Sequence, residues 1–382
     1  MRTAAIAAET RRHRDELIGR VERADDIAGV FFAASRKLRQ LVPHDAAAWI
    51  ATDPKTGLPT GPTWLDGVHG VSATQCAEHW RREFIEDDVN RFVDLARAER
   101  PAGALRTAAG DPERSRRFRS FVRPLGFDDE LRLVLRVGDA TWGTLTLWRR
   151  PGQPAFSAAE TALLASLSTP FGDALRRRSR PADPQLLGTH PTAPGVLVFD
   201  GDGALLSLND DARAWLSELP DDHTFDTEHG APIPLWLTTV VLSAGSVNHG
   251  HGDGTAWARI PSRRGTWLAC HASCLRDADG TPTHTVVTIE LAPPADVASI
   301  AVDAYDLSER ERQVAASIAR GKPTAEIADE LYLSAHTVRD HVKSIFRKTG
   351  VTCRGELVAK LYSEHYQPEQ HVFRSGDGAS TC

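Results

Sequence analysis

No uninterrupted apolar run in this 382-residue sequence approaches the roughly 18 residues that a membrane-spanning helix needs. The first residues, MRTAAIAAETRRHRDELIGR, also have no apolar core of the kind that a secretory signal peptide carries. We therefore expect a cytoplasmic protein with no membrane partner.

Cysteine is scarce, and its spacing does not suggest a disulfide framework. The cysteines are spread over the whole chain: Cys76, Cys270, Cys274, Cys353 and Cys382. Cys270 and Cys274 are close in sequence, but residues 267–275 are predicted to form a strand, which would hold them about 13 Å apart at roughly 3.3 Å per residue. His249 and His251, in a Gly-rich stretch, are better explained by a solvated loop than by a metal site. We expect reduced thiols and no metal.

Signature motifs of enzymes are also missing. The sequence contains no G-x-S-x-G nucleophile elbow, no H-E-x-x-H motif and no cysteine with an evident His partner. The ATP-binding pattern G-x-x-x-x-G-K-[ST] is absent, because the single Gly-Lys, Gly321-Lys322, is followed by proline. We therefore expect no cofactor and no catalysis, with an enzymatic or signalling activity in the front two-thirds of the chain as the alternative.

The composition is that of a folded, multidomain protein. Hydrophobic residues make up 41% and charged residues 25%, which is average for globular chains, and the length favours three domains. A net charge of -6 argues against indiscriminate coating of nucleic acid. Any contact with DNA would therefore have to come from a local basic patch.

Two stretches rich in proline and charge indicate linkers, RRRSRPADPQ at 176–185 and LAPPADVAS at 291–299. They divide the chain into regions, and with the helix and strand patterns of those regions we expect an α+β multidomain chain. Its parts are a first domain with an N-terminal helix at 1–180, a second domain at 186–292, an all-α domain at 302–366 and a disordered tail at 367–382.

The first region combines helical periodicity with strands. Residues 46–52 read as a strand, as do 131–137 and 141–148, and Ser157 with Glu160 forms a capping box before a closing helix. This order, with the closing phrase WGTLTLWRRPGQPAFSAAETALLASL, resembles a GAF-like α/β sensor domain. Members of that family hold small ligands, or only transmit signals and dimerise.

The second region has short strands separated by Asp-Gly and Gly-Asp turns. A hairpin around residues 201–203 leads into Asn209 and a helix, and three further strands follow. This order resembles a PAS-like α/β domain.

The C-terminal region is predicted to form four short helices. Ser308 and Glu311 form a capping box for the first, and Gly321 can end it in a left-handed conformation. A second helix runs over residues 324–331, and Ser334 caps the third. Two short helices joined by so brief a turn predict a helix-turn-helix.

The third helix has two distinct faces when its residues are placed at about 100° intervals. The core stripe contains Val338, Val342, Ile345 and Thr349. The opposite face carries polar and charged residues, namely His336, Arg339, Asp340, Lys343, Ser344 and Arg347. The flank between them carries Thr337, His341 and Lys348. By itself such a pattern is typical of any helix with a solvated side.

In a DNA major groove these side chains have suitable chemistry. Arg339 and Lys343 can donate to guanine O6 and N7, and Asp340 can accept from a cytosine amine. The flanking residues lie where phosphate oxygens would pass. Residues 334–360 contain six basic and two acidic side chains, a local excess of four positive charges.

The whole segment closely resembles the LuxR-type helix-turn-helix. The family's motifs, L-T-x-R-E, G, E-I-A-x-x-L, I-S-x-x-T-V-K-x-H and K-L-G-V-x-x-R, are matched at Leu307, Arg310, Glu311, Gly321, Glu326, Ile327, Ala328, Leu331, Ser334, Thr337, Val338, His341, Lys348, Gly350, Val351 and Arg354. The resemblance implies that Arg339, Asp340 and Lys343 face bases, and that the fourth helix, residues 355–364, pairs two subunits.

The segment departs from the family pattern at three positions. Pro323 stands where a capping serine is usual, which removes a cap worth about 1 kcal/mol unless Thr324 substitutes for it. Arg339 replaces a lysine and keeps the positive charge. Thr349 replaces a leucine, so the core contains slightly less apolar volume at that position. None of these changes removes the DNA-reading face.

The role of the front domains stays open. The aromatic residues that are candidates for lining a ligand pocket are Trp49, Trp80, Phe84 and Trp142, although such residues more often only pack in a core. The expected partners are double-stranded DNA and a second copy of the chain, with a small-molecule effector and RNA polymerase as further candidates.

Overall fold

The computed structural model describes residues 2–179, 191, 193–220, 222–246, 256–293, 296–297, 300, 304–305, 307–358 and 360. The chain divides into two compact units, Met1–Ala292 and Pro293–Cys382. The first contains helices and antiparallel sheets, and the described part of the second is helical, so the predicted α+β class is confirmed. The boundaries of the three expected domains stay a prediction.

The first unit contains a five-stranded sheet built from β1 (Ala46–Thr52), β2 (Pro59–Asp66), β3 (Ala102–Ala104), β4 (Asp129–Val137) and β5 (Ala140–Arg149). Its order is β2-β1-β5-β4-β3, and every neighbouring pair is antiparallel. The predicted strand over 46–52 is confirmed at both ends, and the other two predictions end within two residues of β4 and β5.

Helices cover both faces of this sheet. They are α1 (Arg2–Glu22), α2 (Ile27–Leu41), α3 (Ala73–Ile85), α4 (Phe92–Arg97), α5 (Leu105–Ala109), α6 (Ala158–Ala165) and α7 (Ser168–Arg178). One core cluster joins α1, α2 and α7 to the sheet through fully buried side chains, among them Leu17, Phe31, Trp49 and Phe171. The predicted capping box of Ser157 and Glu160 opens α6.

Buried ion pairs lie on the other side of the sheet. The Nη1 atom of Arg132 is 2.7 Å from Oε2 of Glu83, and Nη2 of Arg117 is 2.8 Å from Oε2 of Glu130. All four side chains are at most 5% exposed, so each charge depends on its partner. Burial is also the main reason why the pKa of the neighbouring His79 falls to about 3, which keeps its ring neutral.

The second sheet of this unit repeats the strand order of the first. Its strands are β6 (Gly195–Phe199), β7 (Leu205–Leu208), β10 (Ala256–Pro261), β11 (Trp267–Arg276) and β12 (Pro282–Leu291), in the order β7-β6-β12-β11-β10. Numbered within each sheet, both orders are 2-1-5-4-3. Between the hairpin and β10 lie α8 (Asp210–Ser217), the short strands β8 (Thr224–Phe225) and β9 (Ile233–Pro234), and α9 (Leu235–Ser246). The predicted helix after Asn209 is α8, and the side chain of Asn209 caps it by accepting from the backbone N–H of Ala212.

Polar and apolar contacts connect the two sheets within the first unit. The carboxylate of Asp53, after β1, accepts from Nε of Arg259 at 2.7 Å and from its Nη2 at 2.9 Å, and both side chains are at most 1% exposed. Asp222 accepts from the backbone N–H of Thr63 at 2.8 Å. Trp80 of α3 belongs to one buried cluster with side chains of α9.

The second unit contains the four predicted short helices, α10 (Glu309–Ala319), α11 (Thr324–Glu330), α12 (Ala335–Thr349) and α13 (Arg354–Val358). Its core is formed by one apolar cluster that includes Leu307, Val314, Ile318, Ile327, Val338, Ile345 and Leu357. Only the first four residues of the predicted fourth helix, 355–358, lie in the described α13.

Several predictions fall on other parts of the chain. His249 and His251, the tail at 367–382 and most of the first linker lie outside the described residues. Cys270 and Cys274 lie on β11, so the strand prediction for them is confirmed. Over the described ranges, no group of three His, Cys, Asp or Glu side chains is arranged to hold a metal ion, and no helix is long and apolar enough to cross a membrane.

Candidate nucleic-acid interface

Local sequence signals fix the ends of the helices that build the interface. Ser308 and Glu311 form the predicted capping box of α10, and Gly321 follows that helix at φ +77°. The hydroxyl of Ser334 accepts from the backbone N–H of Thr337 at 3.0 Å and so caps α12. Gly350 ends α12 in the left-handed conformation, which glycine adopts without strain.

Helix α12 has the two faces that its sequence predicts. Val338, Ile345 and Thr349 are buried, and Val342 packs half-buried against the same core. The residues assigned to the opposite face are exposed except for the half-buried Ser344: His336, Arg339, Asp340, Lys343 and Arg347. The flanking residues Thr337, His341 and Lys348 are half-buried. The core therefore fixes the helix and turns its charged side to solvent.

Asp340 lies between two potential cations on the exposed face. Its Oδ2 is 3.5 Å from Nε2 of His336, and its Oδ1 is 4.0 Å from Nζ of Lys343. Arg339 donates from Nε to the carbonyl of Ala335 at 3.2 Å, which holds its stem along the helix. Contacts this exposed are weak in water, so the side chains can be redirected toward a ligand at little cost.

Lys348 is the predicted site residue whose surroundings sequence reasoning missed. Its Nζ lies 2.7 Å from Oε2 of Glu311, which is only 6% exposed. Burial alone raises the pKa of Glu311, but hydrogen bonds from Lys348, Ser344 and Ser308 outweigh it and hold the pKa at about 2. The pair ties the end of α12 to the start of α10. Both residues belong to the matched family motifs, and that was the available signal.

The connections around α11 also differ from a simple capping scheme. Pro323 provides no side-chain cap, as predicted. The hydroxyl of Thr324, the expected substitute, accepts from Nη2 of Arg354 at 2.8 Å. Tyr332, in the turn before α12, has φ +54° and is 96% exposed, a feature that its sequence did not reveal.

The four aromatic candidates for a ligand pocket do not come together. Trp49 and Trp142 belong to the core beneath α1, α2 and α7, where Trp49 packs 5.7 Å from Phe31. Trp80 and Phe84 stack at 5.9 Å in a different cluster, next to α9. The sequence pattern therefore reflected core packing at two separate places.

A helix-turn-helix with an exposed basic face defines a DNA-binding domain, and comparisons with known proteins give the family. Residues 306–361 match the family described as GerE: Bacterial regulatory proteins, luxR family. The transcriptional regulatory protein UhpA of Salmonella typhimurium is 30% identical over 182 residues, which are 47% of this chain and 89% of UhpA. The spore germination protein GerE of Bacillus subtilis is 42% identical over 55 residues, which are 14% of this chain and 74% of GerE.

Among solved structures, SdiA of Escherichia coli is similar at 12% identity, covering 91% of this chain and 94% of SdiA, with a TM-score of 0.35. That score is below the level of a shared fold. The sequence matches establish that the chain belongs to the LuxR family of bacterial regulatory proteins. It is a transcriptional regulator with a helix-turn-helix DNA-binding domain.

Proposed function

We propose that the chain is a homodimeric, sequence-specific regulator that places α12 in the major groove of double-stranded DNA at two half-sites. One observation carries this proposal: the charged side chains of α12 lie on its exposed face, and its apolar side chains lie in the core. A helix of this length fits the major groove, where such side chains can reach base edges.

The proposed DNA contacts fall into two groups. Exposed residues would approach base edges and the nearest phosphates, namely His336, Arg339, Asp340, Lys343 and Arg347. Half-buried flanking residues would contact phosphates, namely Thr337, His341 and Lys348. Because Lys348 is 2.7 Å from Oε2 of Glu311, a phosphate would have to share its ammonium group with that carboxylate.

Dimerisation is proposed because one small domain contacts few phosphates. Two linked domains neutralise twice as many phosphates and give the specific complex an advantage over non-specific binding. The fourth helix, whose described part is Arg354–Val358, is the proposed contact between the two copies.

The front unit is proposed to hold a GAF-like domain at 1–180 and a PAS-like domain at 186–292. Two helix-covered sheets with the same 2-1-5-4-3 order support two related sensor domains in tandem. We infer that they respond to a small-molecule effector rather than catalyse a reaction. RNA polymerase is the proposed target of the regulation, and the cytoplasm the place of action.

The test is selection of bound sites from a random duplex pool by the full-length protein, beside the double variant R339A/K343A. A palindromic motif that is enriched by the native protein and lost in the variant would support a dimeric regulator that reads DNA through α12. A motif that the variant retains would contradict the assignment of the reading face.

A sharper prediction concerns single residues on that face. Arg339→Ala should relax the preference at one base pair in each half-site and weaken binding by about 1–3 kcal/mol, the value of a base contact. The matched control is R312A, which removes an arginine from α10, outside the proposed reading face. Fluorescence anisotropy on the selected site and on a scrambled site measures both; equal losses on the two sites would contradict base reading by Arg339.

A further inference from the structure

An acidic residue in the middle of a DNA-reading face needs an explanation. The side chain of Asp340 is 56% exposed on the proposed reading face. If α12 enters the major groove, this carboxylate lies among the negatively charged phosphates of the DNA. Lys343, whose side chain is 80% exposed, places its Nζ 4.0 Å from Oδ1 of Asp340. One hydrogen-bond acceptor and one donor of opposite charge therefore project together from a single turn of the helix.

The base pairs differ in how well they fit such a couple. In the major groove a C·G pair presents the cytosine amine, which only donates, beside guanine O6, which only accepts. The cytosine amine nitrogen and guanine O6 are hydrogen-bonded to each other within the base pair, and so they lie about 2.9 Å apart. A carboxylate and an ammonium group with a spacing of 4.0 Å can each meet one of them.

The other bases fit a carboxylate less well. Thymine O4 and guanine O6 and N7 are acceptors, which repel it. Adenine offers its N6 amine, but its N7 acceptor lies directly beside that amine and repels the second carboxylate oxygen. A buried carboxylate without a donor is strongly unfavourable, so the wrong base is rejected rather than merely not bound.

Resting on the proposed reading of the major groove by α12, we propose that Asp340 and Lys343 together read one C·G base pair in each half-site. The carboxylate of Asp340 accepts from the cytosine amine, and the ammonium group of Lys343 donates to guanine O6. Arg339 is then available for a neighbouring base pair, and His336, 3.5 Å from Asp340 on its other side, is placed toward the DNA backbone.

The experiment compares site selection by four forms of the full-length protein: native, D340N, D340A and D329N. D329N is the matched control, because Asp329 is an exposed carboxylate on α11 and its change removes the same charge from the same domain. Selected sites are then measured by anisotropy with all four base pairs at the assigned position. All three substitutions lie on the exposed surface, so folding is not at issue.

The native protein is expected to prefer C·G at one symmetric position by about 5- to 150-fold, the range of a good base contact. In D340N the preference should change from C to A, because an asparagine side chain can bond both N6 and N7 of adenine. D340A should lose the preference at that position. D329N should keep the native motif, while binding scrambled DNA more tightly, as D340N also does.

K343A supplies a second readout. It should weaken the same C·G preference, and the double variant D340A/K343A should lose no more at that base pair than D340A does, since the two side chains read one pair together.

A native motif whose symmetric positions are unchanged in D340N would overturn the inference and leave the proposed function intact. A native protein that enriches no motif would contradict the proposed function itself, and with it the inference that Asp340 and Lys343 read a C·G base pair. A shift in the motif of D329N equal to that of D340N would show a general effect of charge, which also overturns the inference.

Discussion

Glu311 has three hydrogen-bond donors in the DNA-binding domain: the backbone N–H of Ser308 at 2.7 Å, Nζ of Lys348 at 2.7 Å and the hydroxyl of Ser344. The residue therefore closes the capping box of α10 and also holds the end of α12. Its pKa of about 2, against an ordinary 4.5, means that the charged form is favoured in the folded state.

Glu311→Gln should lower the stability of the DNA-binding domain at pH 7 by about 1.5–3 kcal/mol, the range for hydrogen bonds to a charged group. Because the folded pKa is lowered, the stabilisation is complete above the unfolded value near 4.5 and is lost as the pH falls toward 2. Amide hydrogen exchange in α10 and α12 measures the effect. E326Q is the control, and a difference between Glu and Gln that persists undiminished at pH 2 would contradict this account.

Asp222 shows the opposite shift. Burial is the main cause that raises its pKa from 3.8 to about 6, and its Oδ2 atom has no hydrogen-bond partner among the described residues. Its Oδ1 accepts from the backbone N–H groups of Thr63 and His223. The charged form is thus disfavoured in the folded state, so the residue favours folding fully below pH 3.8 and loses that contribution as the pH rises through about 6.

Asp222→Asn should therefore stabilise the first unit at pH 7.5 by up to about 3 kcal/mol and have little effect at pH 4. The amide keeps Oδ1 as an acceptor for both N–H groups. Urea unfolding followed by tryptophan fluorescence suits this test, because all nine tryptophans lie between Trp49 and Trp267. The same gain at both pH values would show that titration of Asp222 is not the cause.

At the level of helices and strands, sequence patterns predicted the second unit well because its structure depends on local signals. Capping boxes, terminal glycines and apolar periodicity located α10, α11 and α12 within two residues. The same signals could not reveal the contact of Lys348 with Glu311, 37 residues earlier in the chain, or the different surroundings of Trp49 and Trp80. Such features depend on which elements pack together, and periodicity does not specify that.

The N-cap of α12 offers a test of local control over the reading helix. Ser334→Ala removes the hydroxyl that accepts from the N–H of Thr337, and it should destabilise the helix by about 1 kcal/mol. Ser334→Asp keeps an acceptor and should retain stability. Hydrogen exchange in the first turn of α12 distinguishes the two, and equal protection in both variants would show that the cap contributes nothing.

At the scale of the whole molecule, the first unit depends on contacts between segments that are far apart in sequence. Arg259 is 206 residues from Asp53, yet their side chains form a buried pair, and the backbone N–H of Arg259 donates to the same carboxylate at 3.0 Å. Nothing near either residue in the sequence predicts this pairing. It connects the two sheets, which the sequence indicated only as separate regions.

Because both side chains are buried, loss of one charge removes the ion-pair partner of the other. Asp53→Asn keeps the Oδ1 acceptor used by the backbone N–H of Lys55 and Thr56, but it should still destabilise the first unit by about 3–5 kcal/mol. R259M should cost a similar amount. The double variant should lose clearly less stability than the sum of the two single losses, since no unpaired charge remains in it.

Tryptophan-monitored urea unfolding measures the loss of stability in all three variants. The control is R123A, which removes an exposed arginine of the same unit and should change the stability by nearly zero. Additive losses would mean that the pair does not act as one contact between the two sheets.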